Sequence, residues 1–364
     1  MKKLAFLGSL ILGISPLWSI LISVLAMASF ASAQPVVIKM GNVLSTRHGV
    51  MPGHMIRVQQ HLARMIEKNT NGEVVWEVLE GKRPDIPPFT MPSMTAKGDV
   101  IQATNVPAFF FPKVPEMMIQ SIPFLFTGAE HSRRFATSEP ARWMADKVEK
   151  AYGVKVLGFF VVASDVSVNG VTSIVNPEDF SDKVLNGFHA TWKPMWTEVT
   201  PARIDYVSNA DAVKGKLVED GTDIEINIGM IQNNHTQRLY QRYKYTTLVP
   251  NFYNIFYTAV INKEVWSSLS EFQQDGINAA ARDAENAAVA YQHDTMMWAY
   301  QLNQSEGTTM RLQTDAERQA WKAEFYPKVK AHVVENSSDP EETLAMIQKI
   351  EDLVQDLEWD LEWR

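Results

Sequence analysis

The chain has no cysteine. That excludes disulfides, thiolate metal sites, a cysteine nucleophile and a lipid-modified cysteine anchor. None of its eight histidines forms a His-x-x-x-His or His-Glu-x-x-His pair, so zinc-protease chemistry has no foothold. Gly-x-Ser-x-Gly elbows, phosphate-cradling glycine loops and dinucleotide fingerprints are equally missing. No catalytic residue, cofactor or metal is therefore expected. Positive charge is in the minority: 34 Lys and Arg against 42 Asp and Glu give a formal net charge of −8. The bases are scattered, which argues against nucleic acid or anionic lipid as a partner. After residue 33 no long apolar run recurs, and the body reads as soluble.

The one long apolar run stands at the start. Lys2 and Lys3 give a basic opening, residues 4–30 are uncharged and mostly apolar, and Ala31-Ser32-Ala33 offers the small residues a signal peptidase reads. A run of this length can span a bilayer, but Gly8, Gly13 and Pro16 interrupt it. The expectation is a secretory leader cleaved after Ala33, which carries the rest of the chain out of the cytoplasm. The remaining 331 of 364 residues suit two domains of about 150 residues each. The whole chain is 46% hydrophobic, enough for a sizeable core without disulfides.

Short strand-like runs alternate with helical patterns, which indicates an α/β protein. Residues 36–40 and 74–78 read as strands. Between them Met55, Val58, Leu62, Met65 and Ile66 recur at helical spacing over 53–68. Residues 83–92 hold four prolines and read as an extended loop. Ser138 as cap and Pro140 in the first turn start a helix that Gly153 ends. Residues 154–162 are nearly all apolar, as in a central buried strand. Asn209 caps a further helix. Ile224, Ile226 and Ile228 alternate with Asp223, Glu225 and Asn227, giving a strand with two different faces. Residues 255–261 form another strand. Ser270 and Gln273 make a capping box for a helix of some 30 residues, long enough to brace two lobes. After Asn336 an acidic amphipathic tail begins, read as a terminal helix packed on the body or used in self-association. The acids at 220–225 lack the spacing of a calcium loop and read as a solvated turn.

Several polar and aromatic residues stand where open α/β sheets hold ligands. Thr104, Asn105 and Phe109 follow an expected strand end, and His48 sits at a strand-to-helix turn. Asn227 lies on the polar face of its strand.

Taken in order, several segments resemble the solute-binding subunit of tripartite ATP-independent periplasmic (TRAP) transporters, the dicarboxylate-binding type. The opening strand, turn and helix over 37–68, with Val43-Leu44-Ser45 and His48, are similar to that family's opening. So are Ala96-Lys97-Gly98-Asp99-Val100, Pro115 with Ile122-Pro123-Phe124-Leu125-Phe126, and Gly153-Val154-Lys155-Val156-Leu157-Gly158. Asn176-Pro177-Glu178-Asp179-Phe180 resembles its "PeDl" turn. Residues 217–223, Lys244-Tyr245, Ile261-Asn262-Lys263 and Trp266-Ser267-Ser268-Leu269 complete the series. The resemblance covers roughly residues 36–300.

It implies a two-lobed, periplasmic-binding-protein-like fold with a hinge and a long helix spanning both lobes. One lobe would comprise 35–162 with 252–282, the other 163–251 with 283–335, and 336–364 would be an acidic extension. It implies a receptor, not an enzyme, that captures a small organic solute and delivers it to the TRAP membrane permease, working as a monomer or homodimer. Tyr253 falls at the return crossing, where a hinge is expected. In the family an arginine after the "PeDl" turn pairs with the ligand carboxylate, a match of charge and planar geometry. Here that place holds Asn186, or Thr191 if Asn186-Gly187 is taken as the anchor. No arginine occurs between Arg142 and Arg203. Either Lys193 or His189 replaces it and a carboxylate is still bound, or Asp165, Asn186, Trp192 and Trp196 serve a neutral or amine-bearing ligand. Trp192 is favoured over Trp196, which falls in a following helical pattern. A receptor reporting to a membrane sensor and an exported hydrolase are the alternatives.

Overall fold

The computed structural model describes residues 34–41, 54–79, 86–163, 165–186, 197, 200–205, 223–252 and 254–362. The leader at 1–33, the helix expected after Asn209, and His48, His189, Trp192, Lys193, Trp196 and Tyr253 lie outside them. Residues 37–364 form one unit, built on two mixed sheets.

The first sheet has the order β2-β1-β3-β10-β4. Its strands are β1 (Val36–Gly41), β2 (Val74–Val78), β3 (Ala103–Pro107), β4 (Val154–Ala163) and β10 (Ile255–Asn262). The second has the order β11-β9-β5-β8-β6-β7. It comprises β5 (Val166–Gly170), β6 (Val184–Asn186), β7 (Arg203–Asp205), β8 (Ile226–Gly229), β9 (Tyr245–Val249) and β11 (Thr309–Leu312). The chain passes from the first sheet to the second between β4 and β5, and returns between β9 and β10. Because β4 neighbours β10 and β5 neighbours β9, the two crossings run side by side.

Helices cover both faces of the first sheet. Helix α1 (His54–Asn69) packs on β2, α2 (Met91–Lys97) on β3 and β10, and α3 (Ala129–Ala136) and α4 (Glu139–Tyr152) on β4. Helix α4 opens on Ser138, whose hydroxyl accepts from Ala141 N, and closes on Gly153 at φ 71°, where glycine carries no Cβ penalty. Helix α5 (Ile231–Thr236) lies against β5, and α6 (Lys263–Ser268) follows β10. Helix α7 (Glu271–Ser305) runs 35 residues from the Ser270–Gln273 capping box, past α1 and β4, to α5 and β11. It therefore touches elements of both sheets. Helix α8 (Asp315–Glu335) packs on the turn at Pro177–Phe180. Helix α9 (Pro340–Glu362) lies against α3, α4 and α8, so the tail packs on the body. It buries Thr343, Ile347, Ile350 and Val354 at successive turns. It is tied down by the buried Glu116 carboxylate, which accepts from Ser338 N at 3.1 Å and Lys147 Nζ at 3.3 Å.

Two expectations are corrected. Met91 and Pro92 are not loop but the first turn of α2, where proline sacrifices no intrahelical hydrogen bond. And β4 is not central: it closes the edge of its sheet. Its apolar sequence is explained by α7 and α4 covering its faces, not by strands on both sides. Among the described residues no helix is long and apolar enough to cross a membrane.

Candidate ligand-binding site

The two crossings are bound to each other. Asp165 Oδ1 accepts from the backbone N–H of Asn251 at 2.9 Å, and Asn251 Nδ2 donates to Thr127 O at 2.8 Å. Asn251 sits at φ 55°, a left-handed conformation that asparagine tolerates and these two bonds hold. Asp165 is half-buried and has one oxygen committed to this contact.

At the first sheet, Thr104 and Asn105 lie within β3, not after it. Their strand is paired on both sides, by β1 and β10, which carries it further than its polar residues suggest. The Thr104 hydroxyl donates to Gly41 O at 3.2 Å. Asn105 is the opposite case: it is fully buried, and neither its Oδ1 nor its Nδ2 has a hydrogen-bond partner. An amide buried in that way costs roughly 1–3 kcal/mol. Just beyond β3, half-buried Phe109 stands 4.9 Å from Phe110, and Phe110 stands 4.5 Å from the exposed Phe89. Phe110 and Phe111 belong to the core.

The second sheet has one apolar and one polar face. Val168, Leu185, Ile204, Ile226 and Ile228 join the main core with Trp321 and Phe325. On the other face the register sets Thr246, Asn169, Asn227 and Asn186 side by side across β9, β5, β8 and β6, and all four are buried. Directly opposed residues share a face, so this is a continuous row of amides and a hydroxyl. At the Thr246 end the side chains are bonded to one another. Asn234 Nδ2 donates to Thr246 Oγ1 at 3.1 Å, and Thr246 Oγ1 to Asn169 Oδ1 at 2.8 Å. Asn169 Nδ2 in turn donates to Asn227 O at 3.2 Å. The Ser167 hydroxyl, two residues along the same face, donates to Gly229 O.

Acids near the row are paired with bases: Asp205, which the register sets beside Asn186, with Arg203 at 3.7 Å, Asp223 with Arg242 at 3.4 Å and Glu225 with Lys183 at 3.3 Å. Among the described residues no group of three or more His, Cys, Asp and Glu is placed to hold a metal.

The structure thus brings Asn186 and Asn227 together in one row, places Asn105 in the first sheet and Phe109 in the turn just beyond it, and sets Asp165 at the crossings. Sequence reasoning missed Gln59, a fully buried amide on α1 without a partner at either polar atom. Its signal was a glutamine inside the apolar stripe of Met55, Val58, Leu62 and Ile66.

Two sheets joined by paired crossings, with a helix reaching elements of both, define the architecture of a periplasmic solute receptor. Three solved structures of TRAP periplasmic solute-binding proteins share it. One from Chromohalobacter salexigens with bound D-glucuronate matches at TM-score 0.69 and 18% identity, over 87% of this chain and 99% of that one. One from Desulfovibrio desulfuricans with bound sn-glycerol-3-phosphate matches at TM-score 0.72 and 15% identity, over 87% and 97%. One from Ralstonia eutropha H16 with bound (S)-2-acetolactate matches at TM-score 0.70 and 20% identity, over 88% and 99%. No curated protein sequence matches the chain. The chain belongs to family 7 of the bacterial extracellular solute-binding proteins, whose model matches residues 54–336. Helix α9 lies beyond that match.

Proposed function

We propose that this protein is the extracytoplasmic receptor of a TRAP-type transporter. It is exported by cleavage after Ala33, captures a small organic anion between two lobes and hands it to a membrane permease. The observation that carries the reading is the buried polar row of the second sheet. A sheet face inside a protein is ordinarily filled with residues such as Ile226 and Ile228, because a buried polar group without a partner is costly. Amides in that place are retained to bind each other or a ligand. The Asn234 end of the row is bonded within itself, and Asn227 and Asn186, further along the same buried face, are assigned to the ligand by that position.

On the first sheet Asn105 and Phe109 are assigned to the ligand as well. His48, His189, Trp192 and Tyr253 join them on the sequence argument. Thr104 and Asp165 act differently in this reading: the first holds β1 to β3, and the second ties the crossings about which the lobes close. The lobes proposed are 35–162 with 252–282 and 163–251 with 283–335. Glucuronate, glycerol-3-phosphate and acetolactate, the ligands of the three similar structures, are all small oxygen-rich anions, which favours an anion over an amine.

Thermal shift and calorimetry with these three compounds, set against amines and uncharged polyols, test the proposal. At least one anion is expected to stabilise the protein. Asn227→Leu is expected to weaken that anion by about ten- to a hundredfold, the loss of one or two buried hydrogen bonds. Stabilisation by amines alone, or turnover of the bound compound, would overturn it.

A further inference from the structure

The function proposed above makes no use of helix α9 or of the buried Glu116, and the contacts of both lead to the crossings. Residues 124–132 clasp the return crossing at three points. Phe124 N donates to Phe252 O at 2.7 Å, Asn251 Nδ2 to Thr127 O at 2.8 Å, and Ser132 Oγ to Asn254 Oδ1 at 2.9 Å. Aromatic rings extend the contact. Phe124 stands 5.3 Å from Phe252, and Phe126 and Phe135 stand 5.6 and 5.2 Å from Phe256 at the start of β10.

The clasp has little stiffness of its own. Among the described residues, 108–137 consist of 3-10 turns, loops and the eight-residue α3, and a helix that short is not stable by itself. What packs on α3 therefore sets its position: β4, α4, α7 and α9. The first three also build the body of the first sheet, and α9 is the addition. Its buried side, Thr343, Ile347, Ile350 and Val354, lies on α3 and α4. Its start is tied to the same stretch of chain, because the Glu116 carboxylate accepts from both the backbone N–H and the hydroxyl of Ser338. Farther along, Lys349 pairs with Glu139 of α4 at 2.5 Å and Glu351 with Lys330 of α8 at 2.6 Å. Helix α8 packs in turn on the Pro177–Phe180 turn between β5 and β6. Thus α9 joins a neighbour of the first sheet to a neighbour of the second.

We infer that α9 is a strap for the hinge: it holds residues 115–135 against the return crossing and so fixes the axis about which the two sheets move. Glu116 is the positioning residue at its start. Exposed ion pairs contribute little, so the strap is held by its apolar side and by Glu116. That the sheets move about this axis rests on the two-lobed reading given above; the contacts of α9 do not.

Hydrogen exchange of the unliganded protein tests the strap without any ligand. The N–H groups of Phe124 and Asn251 report on it directly, since they donate to Phe252 O and to Asp165 Oδ1. In full-length Ile347→Ala/Ile350→Ala both are expected to exchange at least tenfold faster, with the amides of β1 and β8 unchanged. Glu116→Leu, which removes the acceptor for Ser338 and leaves the apolar side of α9 intact, is expected to show the same pattern and decides the matter if the double variant does not fold. Ile66→Ala, equally buried but in α1, is the control for general destabilisation. Wild-type exchange at Phe124 and Asn251, equal acceleration at β1 and β8, or the same selective pattern in Ile66→Ala overturns the strap. Calorimetry with D-glucuronate, sn-glycerol-3-phosphate or (S)-2-acetolactate, whichever the wild type binds, tests its bearing on the hinge. The strap variants are expected to lose at least fivefold in affinity, because a loosened crossing must be ordered on closure. Unchanged affinity overturns the link to the hinge. If the wild type binds none of the three, the proposed function fails, and exchange alone decides the strap.

Discussion

Replacing Glu285 with glutamine is expected to stabilise the protein at pH 8 and to leave it almost unchanged near pH 4.5. Glu285 lies in α7 with its carboxylate against β4, where Gly158 leaves it room and the Phe159 N–H donates to Oε1 at 3.0 Å. The strand is irregular at this point: the register with β10 skips Leu157. Burial raises the Glu285 pKa from 4.5 to about 7, against smaller opposing effects of the Phe159 hydrogen bond and the Arg282 charge.

The sign of the linkage follows. Between pH 4.5 and about 7 the folded chain holds a proton that the unfolded chain has released, so stability falls as pH rises through this window. The favourable contribution is complete below pH 4.5 and lost above about 7. A shift of that size corresponds to about 3 kcal/mol. Glutamine cannot ionise, yet its carbonyl still accepts from Phe159. Urea unfolding of both proteins between pH 4.5 and 8 should therefore show the variant gaining progressively on the wild type. Glu116 and the other carboxylates titrate alike in the two proteins and cancel in the difference. Parallel stability curves would mean that Glu285 reaches water in the folded state.

Local signals in the sequence were legible, and pairing across the chain was not. The Ser270–Gln273 box is reciprocal in the structure, with Gln273 N donating to Ser270 Oγ at 3.3 Å and Ser270 N to Gln273 Oε1 at 3.0 Å. Both halves are fixed by a three-residue spacing that can be read directly. The alternation of Ile226 and Ile228 with Asn227 likewise revealed a two-faced strand. What it could not reveal is that Asn169, Asn186 and Thr246 complete the row, because their register comes from strands up to 77 residues apart. The edge position of β4 was hidden for a related reason. A strand covered by helices and a strand between other strands both read as an apolar run. Pro92 was misread because proline opens helices as readily as it breaks them. Gln59 was visible as a polar residue in an apolar stripe, but its lack of any partner is visible only in three dimensions.

The largest loss of stability is expected from Trp321→Ala. Trp321 is fully buried in α8. Its ring meets Phe180 and Phe252 at 5.6 Å and Phe325 at 5.1 Å, and its Nε1 donates to Val175 O at 2.7 Å. One side chain thus joins α8 to the turn after β5 and to the β9–β10 crossing, where Phe252 O also accepts from Phe124 N at 2.7 Å. Truncation leaves a cavity between three aromatic rings and should cost about 3–5 kcal/mol. Trp321→Phe keeps most of the ring contact. It loses the N–H, but Gln313 Nε2, 3.4 Å from Val175 O, remains as a donor, so this variant should lose less than half as much. Chemical denaturation of the three proteins checks the order. A cost below about 1 kcal/mol for the alanine variant would show that the neighbouring rings collapse into the space. The position of Phe252 gives the measurement a functional side. If Trp321 braces the return crossing, its loss frees the segment about which the lobes are proposed to close, and the alanine variant should bind ligand more weakly than the phenylalanine variant even where both remain folded.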